Sequence, residues 1–479
     1  MANTANLDRL NSVVDELRDA QWHADLASHF WKAGDLSKAA ATIGKAEDRF
    51  GSIACVRLMS ARINFSLGDN AAVRADLKRA VGDPKATFKN CMGVSEIYEM
   101  IEDDDSALEL LNNLGREYSH KRFGAVAFKT AMSIYIRRGE TLNALDAGIS
   151  ASATGGNPVW TQMSKLILDA DLEMIERCRT RMRELEADGI KNGFFYKLMS
   201  QFDSRAGDRV AMLKHMTLGA KTRFMQDNPD IAWVDDVEPL KPSFIIIGGM
   251  KCGSTSLFDQ ISHHPLCLAP MNKELQFFQH EEMDDQWYLN HFPRVDSSAG
   301  YFSGESSPGY FSFDIVEHVK KLLPETKLLF IKRDPVDRAI SHFRHNVRLG
   351  MSTGSIDKVM SGVDELQDTL MSGPDEAEEI LMRRRGPAAN AFLLLGCYEI
   401  LLRRWYTAFP KEQFLELNLE DFYGSPQETM DQAFAFLGVD SIEVTPQQSN
   451  QGDYAKRDPE TQRVMSRLRE FYDAVATLA

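Results

Sequence analysis

Phe244-Ile-Ile-Ile-Gly-Gly-Met-Lys-Cys-Gly-Ser-Thr-Ser-Leu257 decides how the second half of this 479-residue chain folds. The β-branched run Ile245 to Ile247 reads as a buried strand, Gly248, Gly249 and Gly253 interrupt it, and Ser254-Thr255-Ser256 opens a helix. A strand, a glycine loop and a helix start aim backbone N–H groups and the positive end of a helix dipole at one point. Phosphate is the natural guest of such a loop. Lys327 to Ile331 is a second apolar run that feeds a polar turn and a helix, and Phe414 to Asn418 reads as a third strand. The expected fold of this half is an α/β P-loop-type domain with a central parallel sheet.

The loop departs from the ATP-binding pattern GxxxxGK[ST] in one place. Gly248, Gly253 and Thr255 fit, but Ser254 stands where the lysine belongs, and the loop's lysine, Lys251, lies inside it. A nucleotide-dependent kinase of P-loop type is therefore an alternative that rests on the loop alone, without the usual grip on a γ-phosphate.

Composition bounds the rest. With 43% hydrophobic and 26% charged residues the chain can bury a sizeable core, and its net charge of -15 opposes nucleic acid and anionic membrane surfaces. Any anionic ligand must meet a local basic patch. The longest uncharged apolar run, Phe244 to Met250, is too short to span a bilayer, and MANTANLDRL offers no apolar signal core. Cys55, Cys91, Cys178, Cys252, Cys267 and Cys397 are scattered, without disulfide-framework or zinc-site spacing. These features lead to the expectation of a cytoplasmic protein with no metal and no membrane span.

Residues 1–235 have a different grammar, with apolar residues three and four apart and few prolines. Gly34-Asp35 returns as Gly68-Asp69, Glu102-Asp103 and Gly139-Glu140, and Ala170-Asp171 and Gly207-Asp208 are further turns that would make six units. Small residues recur after each turn, at Ala39, Val73, Ala107 and Ala144, and mostly aromatic knobs precede it, at Phe30, Asn64, Tyr98 and Tyr135. This pattern resembles the tetratricopeptide repeat, which implies an all-α solenoid that recruits a protein partner or associates with itself. An irregular helical bundle is the alternative. Pro229, Pro239 and the acids Asp235, Asp236 and Glu238 end the helical patterning, which places the boundary between domains 1–235 and 236–479.

The stretch PSFIIIGGMKCGSTSLFDQISHHP resembles the 5′-phosphosulfate loop of sulfotransferases that use 3′-phosphoadenosine 5′-phosphosulfate (PAPS), nearest to the heparan sulfate N- and 3-O-sulfotransferase branch. The resemblance implies cofactor contacts at Gly249, Lys251, Cys252, Gly253, Ser254, Thr255 and Ser256, with PAP as the product and no metal. Leu328 to Ser341 resembles the family's 3′-phosphate motif, which assigns Arg333 and Ser341 to that phosphate; Lys332, Arg338, Arg344 and Arg348 add positive charge nearby. Gly396 to Trp405, with Tyr398 as a cofactor contact, and the later core segments through Gly438 follow in order.

Asn272-Lys273-Glu274-Leu-Gln276-Phe277-Phe278 resembles the segment that carries the family's catalytic glutamate, so Glu274 is expected to be the general base and Lys251 to offset charge on the leaving phosphate. Other branches of the family use a histidine, which leaves His280, His291, His342 and His345 as competitors. In Gly304 to Phe311, Ser306 replaces a lysine that lines the cleft of the heparan enzymes, which argues against a highly sulfated acceptor. Gly452, Lys456 and Arg457 stand where a basic loop closes over the cofactor; either the two cations act from a shifted register or closure is weaker. Residues 349–388, with Arg383-Arg384-Arg385, would lie near the acceptor or form a solvated loop. The implied reaction moves a sulfuryl group to a hydroxyl, less readily an amine, of a saccharide-containing or other small alcohol acceptor. An interaction protein with a degenerate transferase domain is the remaining alternative.

Overall fold

The computed structural model describes residues 18–120, 122–157, 160–279, 284–348, 352, 354–371, 390–444 and 459–477. The chain divides into two units, Met1–His215 and Met216–Ala479.

Among the described residues of the first unit, twelve helices follow one another: α1 (Ala20–Lys32), α2 (Leu36–Phe50), α3 (Ala54–Ser66), α4 (Asn70–Val81), α5 (Phe88–Met100), α6 (Asp104–Glu117), α7 (Arg122–Arg137), α8 (Thr141–Ala153), α9 (Trp160–Asp169), α10 (Leu172–Ala187), α11 (Gly193–Arg205) and α12 (Arg209–Asp227), the last crossing the division. The pairs α1–α2, α3–α4, α5–α6 and α7–α8 pack as hairpins, and a Gly-Asp dipeptide or a variant of it makes each of their turns. Gly34, Gly68, Gly139 and Gly207 take left-handed φ values of 72° to 80°, which stops one helix, and the next residue begins the following one. Asp35, Asp69, Asp103 and Asp208 each accept a backbone N–H of the new helix through their side chains. Glu102 holds φ 59° without glycine's freedom, so the third turn keeps the shape of the others.

The recurrent small residues do what their spacing suggests. Ala39, Val73, Ala107 and Ala144 are fully buried, as are Ala46, Ala80 and Ala151 one and two turns later, where the helices approach. Asn64 breaks the aromatic series for a reason: its Nδ2 donates to Asp76 Oδ2 at 2.9 Å, and Asp76 is buried and paired with Arg57 at 3.2 Å. At the end of the unit Arg179 is buried among three carboxylates, Asp203 (2.8 Å), Asp208 (2.7 Å) and Glu176 (2.5 Å), and Asp203 also meets His215 Nδ1 at 2.5 Å.

The second unit holds four parallel strands, β1 (Phe244–Gly248), β2 (Gly304–Ser306), β3 (Lys327–Lys332) and β4 (Phe414–Asn418), in the order β2-β1-β3-β4. β1 is buried along its whole length, as its unbroken apolar sequence requires. The expected strands are present; β2 escapes sequence reading because it is three residues long and contains Gly and Glu, both poor strand formers. The connection from β1 runs to β2 on one side and that from β3 to β4 on the other, so the crevice beyond the carboxyl ends of β1 and β3 is a topological switch point. Helices α13 (Ser254–Ser262), α14 (Pro335–Arg348) and α15 (Tyr398–Ala408) frame that end. The proline- and acid-rich segment expected to separate domains at residue 235 lies within this unit: Ile231, Trp233 and Leu240 pack with Leu268 and Val295, and the Val234 and Leu240 N–H groups donate to the Arg294 and Pro293 carbonyls. Its apolar anchors outweigh its breakers. Among the described residues no helix is long and apolar enough to cross a membrane.

Removing one member of a buried charge cluster leaves the others unpaired. Asp203→Ala should lower the stability of the first unit by roughly 3 kcal/mol, seen as an earlier urea transition in the helical circular-dichroism signal; an unchanged transition would show that Arg179 needs no buried partner.

Candidate active site

The loop 249–253 leaves β1 and enters α13 through Gly253, whose φ is +90°. A Cβ there would be strained and would sit 2.5 Å from Leu419 Cδ1, so the tight entry requires glycine. Lys251, in the middle of the loop, also has a left-handed φ of 68°. Helix α13 begins without a side-chain cap, so no side chain at its cap competes for the N–H groups of its first turn. Ser254 and Ser256 are buried, Thr255 is exposed, and Cys252 is fully buried with its thiol pushed up to about 11 by that burial. Cys252 therefore packs the loop rather than reacting from it.

Arg333 follows β3, and its guanidinium donates to the Lys251 carbonyl at 3.4 Å. Tyr398, from the start of α15, donates to the Arg333 carbonyl at 3.1 Å and lies 3.4 Å from Cys252 Sγ. Tyr398 is buried, so it braces both loops from beneath. Ser341 is buried two turns along α14. Two of the cations expected to add surface charge serve the fold instead: Arg338 is wholly buried and donates to the Phe392 carbonyl, and Lys332 pairs with Glu416. Arg344 and Arg348 lie toward solvent on α14.

The segment 272–278 returns to the loop. Lys273 Nζ donates to Thr255 Oγ1 and pairs with Glu274 Oε1 at 3.2 Å, which ties the expected base to the first turn of α13. Glu274 is exposed, whereas Phe277 and Phe278 are buried: Phe277 stacks on Tyr288 at 4.6 Å and Phe278 meets Tyr310 edge-on at 5.5 Å. One end of the segment is thus anchored in the core and the other presents a carboxylate.

The competing histidines separate by environment. His291 is buried against Trp287 and bonds its carbonyl at 3.0 Å, and His342 is buried beside Arg338 and Phe392. His345 differs. It is half-buried, and burial, then Lys251 and Arg348, hold it below the usual histidine range while Glu274 pulls the other way, which puts it within electrostatic reach of both expected catalytic groups. His280, Arg383, Arg384, Arg385, Gly452, Lys456 and Arg457 lie outside the described residues.

Sequence reading passed over two participants. Lys273 was legible only as a neighbour of Glu274, yet it bridges to Thr255. Glu305, on β2, is fully buried and accepts hydrogen bonds from Tyr288 Oη (2.8 Å), Tyr310 Oη (3.1 Å) and Ser307 Oγ (2.8 Å). The signal for it was an acidic residue inside a strand, next to Ser306, which is also wholly buried in β2 and so does not line an open cleft.

Comparison with known proteins agrees on the second unit. Residues 268–443 match the family model described as "Sulfotransferase family", which covers under half of the chain. The human "Bifunctional heparan sulfate N-deacetylase/N-sulfotransferase 2" is 28% identical over 208 residues, 41% of this chain and 22% of that protein. The mouse "Bifunctional heparan sulfate N-deacetylase/N-sulfotransferase 1" is 29% identical over 210 residues, 42% and 22%. The match therefore spans about a fifth of these relatives' length. A solved sulfotransferase from Alicyclobacillus acidocaldarius aligns at 25% identity with 50% of this chain and 94% of its own, with a TM-score of 0.38. Among the described residues no group of His, Cys, Asp and Glu has the arrangement of a metal site.

The environment of Glu305 has a measurable consequence for stability. Burial raises its carboxyl to about 7, and the hydroxyl donors oppose that rise without cancelling it. A folded-state value above the unfolded one means that the native state holds the proton more tightly, so stability falls as pH rises from the ordinary carboxyl range toward 7. Between about pH 8 and about pH 5 the wild-type protein should gain roughly 2 to 3 kcal/mol relative to Glu305→Gln, measured by urea unfolding; equal pH slopes would place the titration elsewhere.

Proposed function

We propose that the second unit is a PAPS-dependent sulfotransferase that moves a sulfuryl group to a hydroxyl of a saccharide-containing acceptor, or less readily to an amine. The observation that carries this reading is the contact between the Arg333 guanidinium and the Lys251 carbonyl. It joins two anion-binding elements, the β1 loop and the turn after β3, at one switch point. An adenosine nucleotide with phosphates at both its 5′ and 3′ ends is the ligand that two such elements would hold together. The uncapped start of α13 and Lys251 fit the 5′-phosphosulfate, and Arg333 with Ser341 fits the 3′-phosphate. A kinase reading gives the second element nothing to bind.

PAPS, when bound, supplies an activated sulfuryl group on a phosphate leaving group. The residues then divide the work. Glu274 takes the proton of the acceptor hydroxyl as its oxygen bonds to sulfur, and Lys251 offsets the charge that collects on the phosphate oxygen as the sulfur–oxygen bond to it breaks. Lys273, bonded to both Thr255 and Glu274, holds the base beside the loop that holds the donor. His345, whose basicity responds to the charges of both Lys251 and Glu274, is the alternative base. The acceptor class is supported by the names of the heparan sulfate relatives, and the serine at 306, where those enzymes carry a lysine, argues for a less sulfated saccharide. All six cysteines are unpaired, which supports the reading of a reducing, cytoplasmic location.

Thermal shift separates the donor classes. PAP should stabilise the protein with or without EDTA, whereas adenosine 5′-phosphosulfate and magnesium ATP should do so weakly; a preference for magnesium ATP would overturn the assignment. Arg333→Ala with Ser341→Ala should weaken PAP binding by about 100-fold, and unchanged affinity would remove the 3′-phosphate reading.

With radiolabelled PAPS and an unsulfated heparan backbone or its de-N-acetylated form, Glu274→Gln should lower turnover by about 10²- to 10⁴-fold with PAP affinity unchanged. Retained turnover, lost instead in His345→Asn, would move the base to the histidine.

A further inference from the structure

Glu305 is a buried carboxylate for which the transfer chemistry above has no use. Its surroundings point at one place. Tyr288, Tyr310 and Ser307 donate to it through their hydroxyls. A carboxylate offers about four acceptor positions, and three hydroxyls occupy three of them. Ser307 Oγ in turn accepts the N–H of Gln276 at 3.2 Å. Gln276, two residues after Glu274, is therefore tied to the carboxylate through one hydroxyl.

That stretch of backbone needs tying. Glu274 and Gln276 have φ values of 59° and 53°, left-handed conformations that side-chain-bearing residues adopt only when their surroundings impose them. The rings of Tyr288 and Tyr310, whose hydroxyls bond Glu305, pack on Phe277 and Phe278 at the far end of the same segment. β2 itself is fixed by its pairing with β1, Glu305 opposite Ile245, so the carboxylate is referenced to the strand that also carries the donor loop.

Building on the assignment of Glu274 as the base, we propose that Glu305 is a positioning residue of the transfer site: its carboxylate clamps the 274–278 turn and so aims Glu274 relative to the β1 loop. Exposed Glu274 has Lys273 as its own side-chain partner, so the direction of its side chain is set by the backbone that Glu305 holds. The clamp acts on orientation alone; no proton of the reaction passes to Glu305.

Glu305→Gln keeps the shape and replaces two acceptor positions with two donors. Ser307 Oγ, which accepts the Gln276 N–H while donating its one proton to Oε2, would face an amide donor if that position becomes the NH2. Hydrogen exchange of the full-length protein reads the clamp without turnover: amides of the 273–279 peptide should exchange at least tenfold faster in Glu305→Gln, with those of 244–257 unchanged. With radiolabelled PAPS and the de-N-acetylated heparan backbone, kcat should fall roughly 10- to 100-fold while PAP affinity and the KM for PAPS hold, and the same change added to Glu274→Gln should cost nothing further. Unchanged exchange at 273–279, or an equal loss of kcat in both backgrounds, would overturn the proposal. Ser307→Ala, which cuts the link to Gln276, gives the same readout should Glu305→Gln fail to fold. Failure of the base assignment would look different: Glu274→Gln would keep its turnover while Glu305→Gln still loosened the turn.

Discussion

The parallel pairing of β1 with β3 is the constraint on which the site depends. It places the exit of one strand beside the exit of the other, with Ile246 opposite Leu329 and Gly248 opposite Phe330 across an irregularity in the ladder. The Gly249 N–H, beyond the end of β1, still donates to the Ile331 carbonyl at 2.9 Å, so the loop is held to β3 even after the strand has stopped. From that anchor the chain has five residues in which to turn into α13, and the left-handed Gly253 makes the turn possible. Lys251 and Arg333 meet because the sheet brings their loops together; neither helix alone would do it.

Net charge and local charge obey different rules here. A protein of net charge -15 that binds an anion needs cations gathered at one place, and a sequence reading counts every nearby lysine and arginine toward that patch. The structure sorts them by what they touch. Arg338 is buried against a carbonyl, and Lys332 faces Glu416, so both are committed to holding α14 and β3 in place. Lys251, Lys273 and Arg333 act around the β1 loop, two of them through backbone or side-chain contacts that also shape it. A charge at the right sequence position is thus a site residue only when folding leaves its donors facing the crevice.

Where sequence was legible, one residue type served one local purpose. The Gly-Asp turns could be read because the glycine ends a helix and the aspartate caps the next, and the structure repeats this at Gly34-Asp35, Gly68-Asp69 and Gly207-Asp208. The strand and loop at 244–257 could be read for a similar reason. Histidines could not be ranked, because His291, His342 and His345 look alike in sequence and differ only in burial and neighbours. Glu305 and β2 were illegible because three residues carry too little pattern, and because an acidic residue in a strand makes sense only once Tyr288 and Tyr310, distant in sequence, are seen to converge on it. The segment from Asp227 to Lys241 carries two signals: its prolines and acids are plain in sequence, whereas the packing of Trp233 and Leu240 with Leu268 is tertiary.

The two glutamates of this site show how environment divides labour between identical side chains. Glu274 is exposed and paired with Lys273, and on the proposed assignment it faces the substrate. Glu305 is sealed and accepts from three hydroxyls before any ligand arrives. A base has to be loosely solvated to collect a proton and let it go, but it has to be held still to collect it from the right direction. One carboxylate cannot meet both demands, because the hydrogen bonds that would fix it would also occupy the lone pairs that do the chemistry. Separating them along the chain, with the mobile group on a left-handed turn and the fixed group on the strand beneath it, removes the conflict.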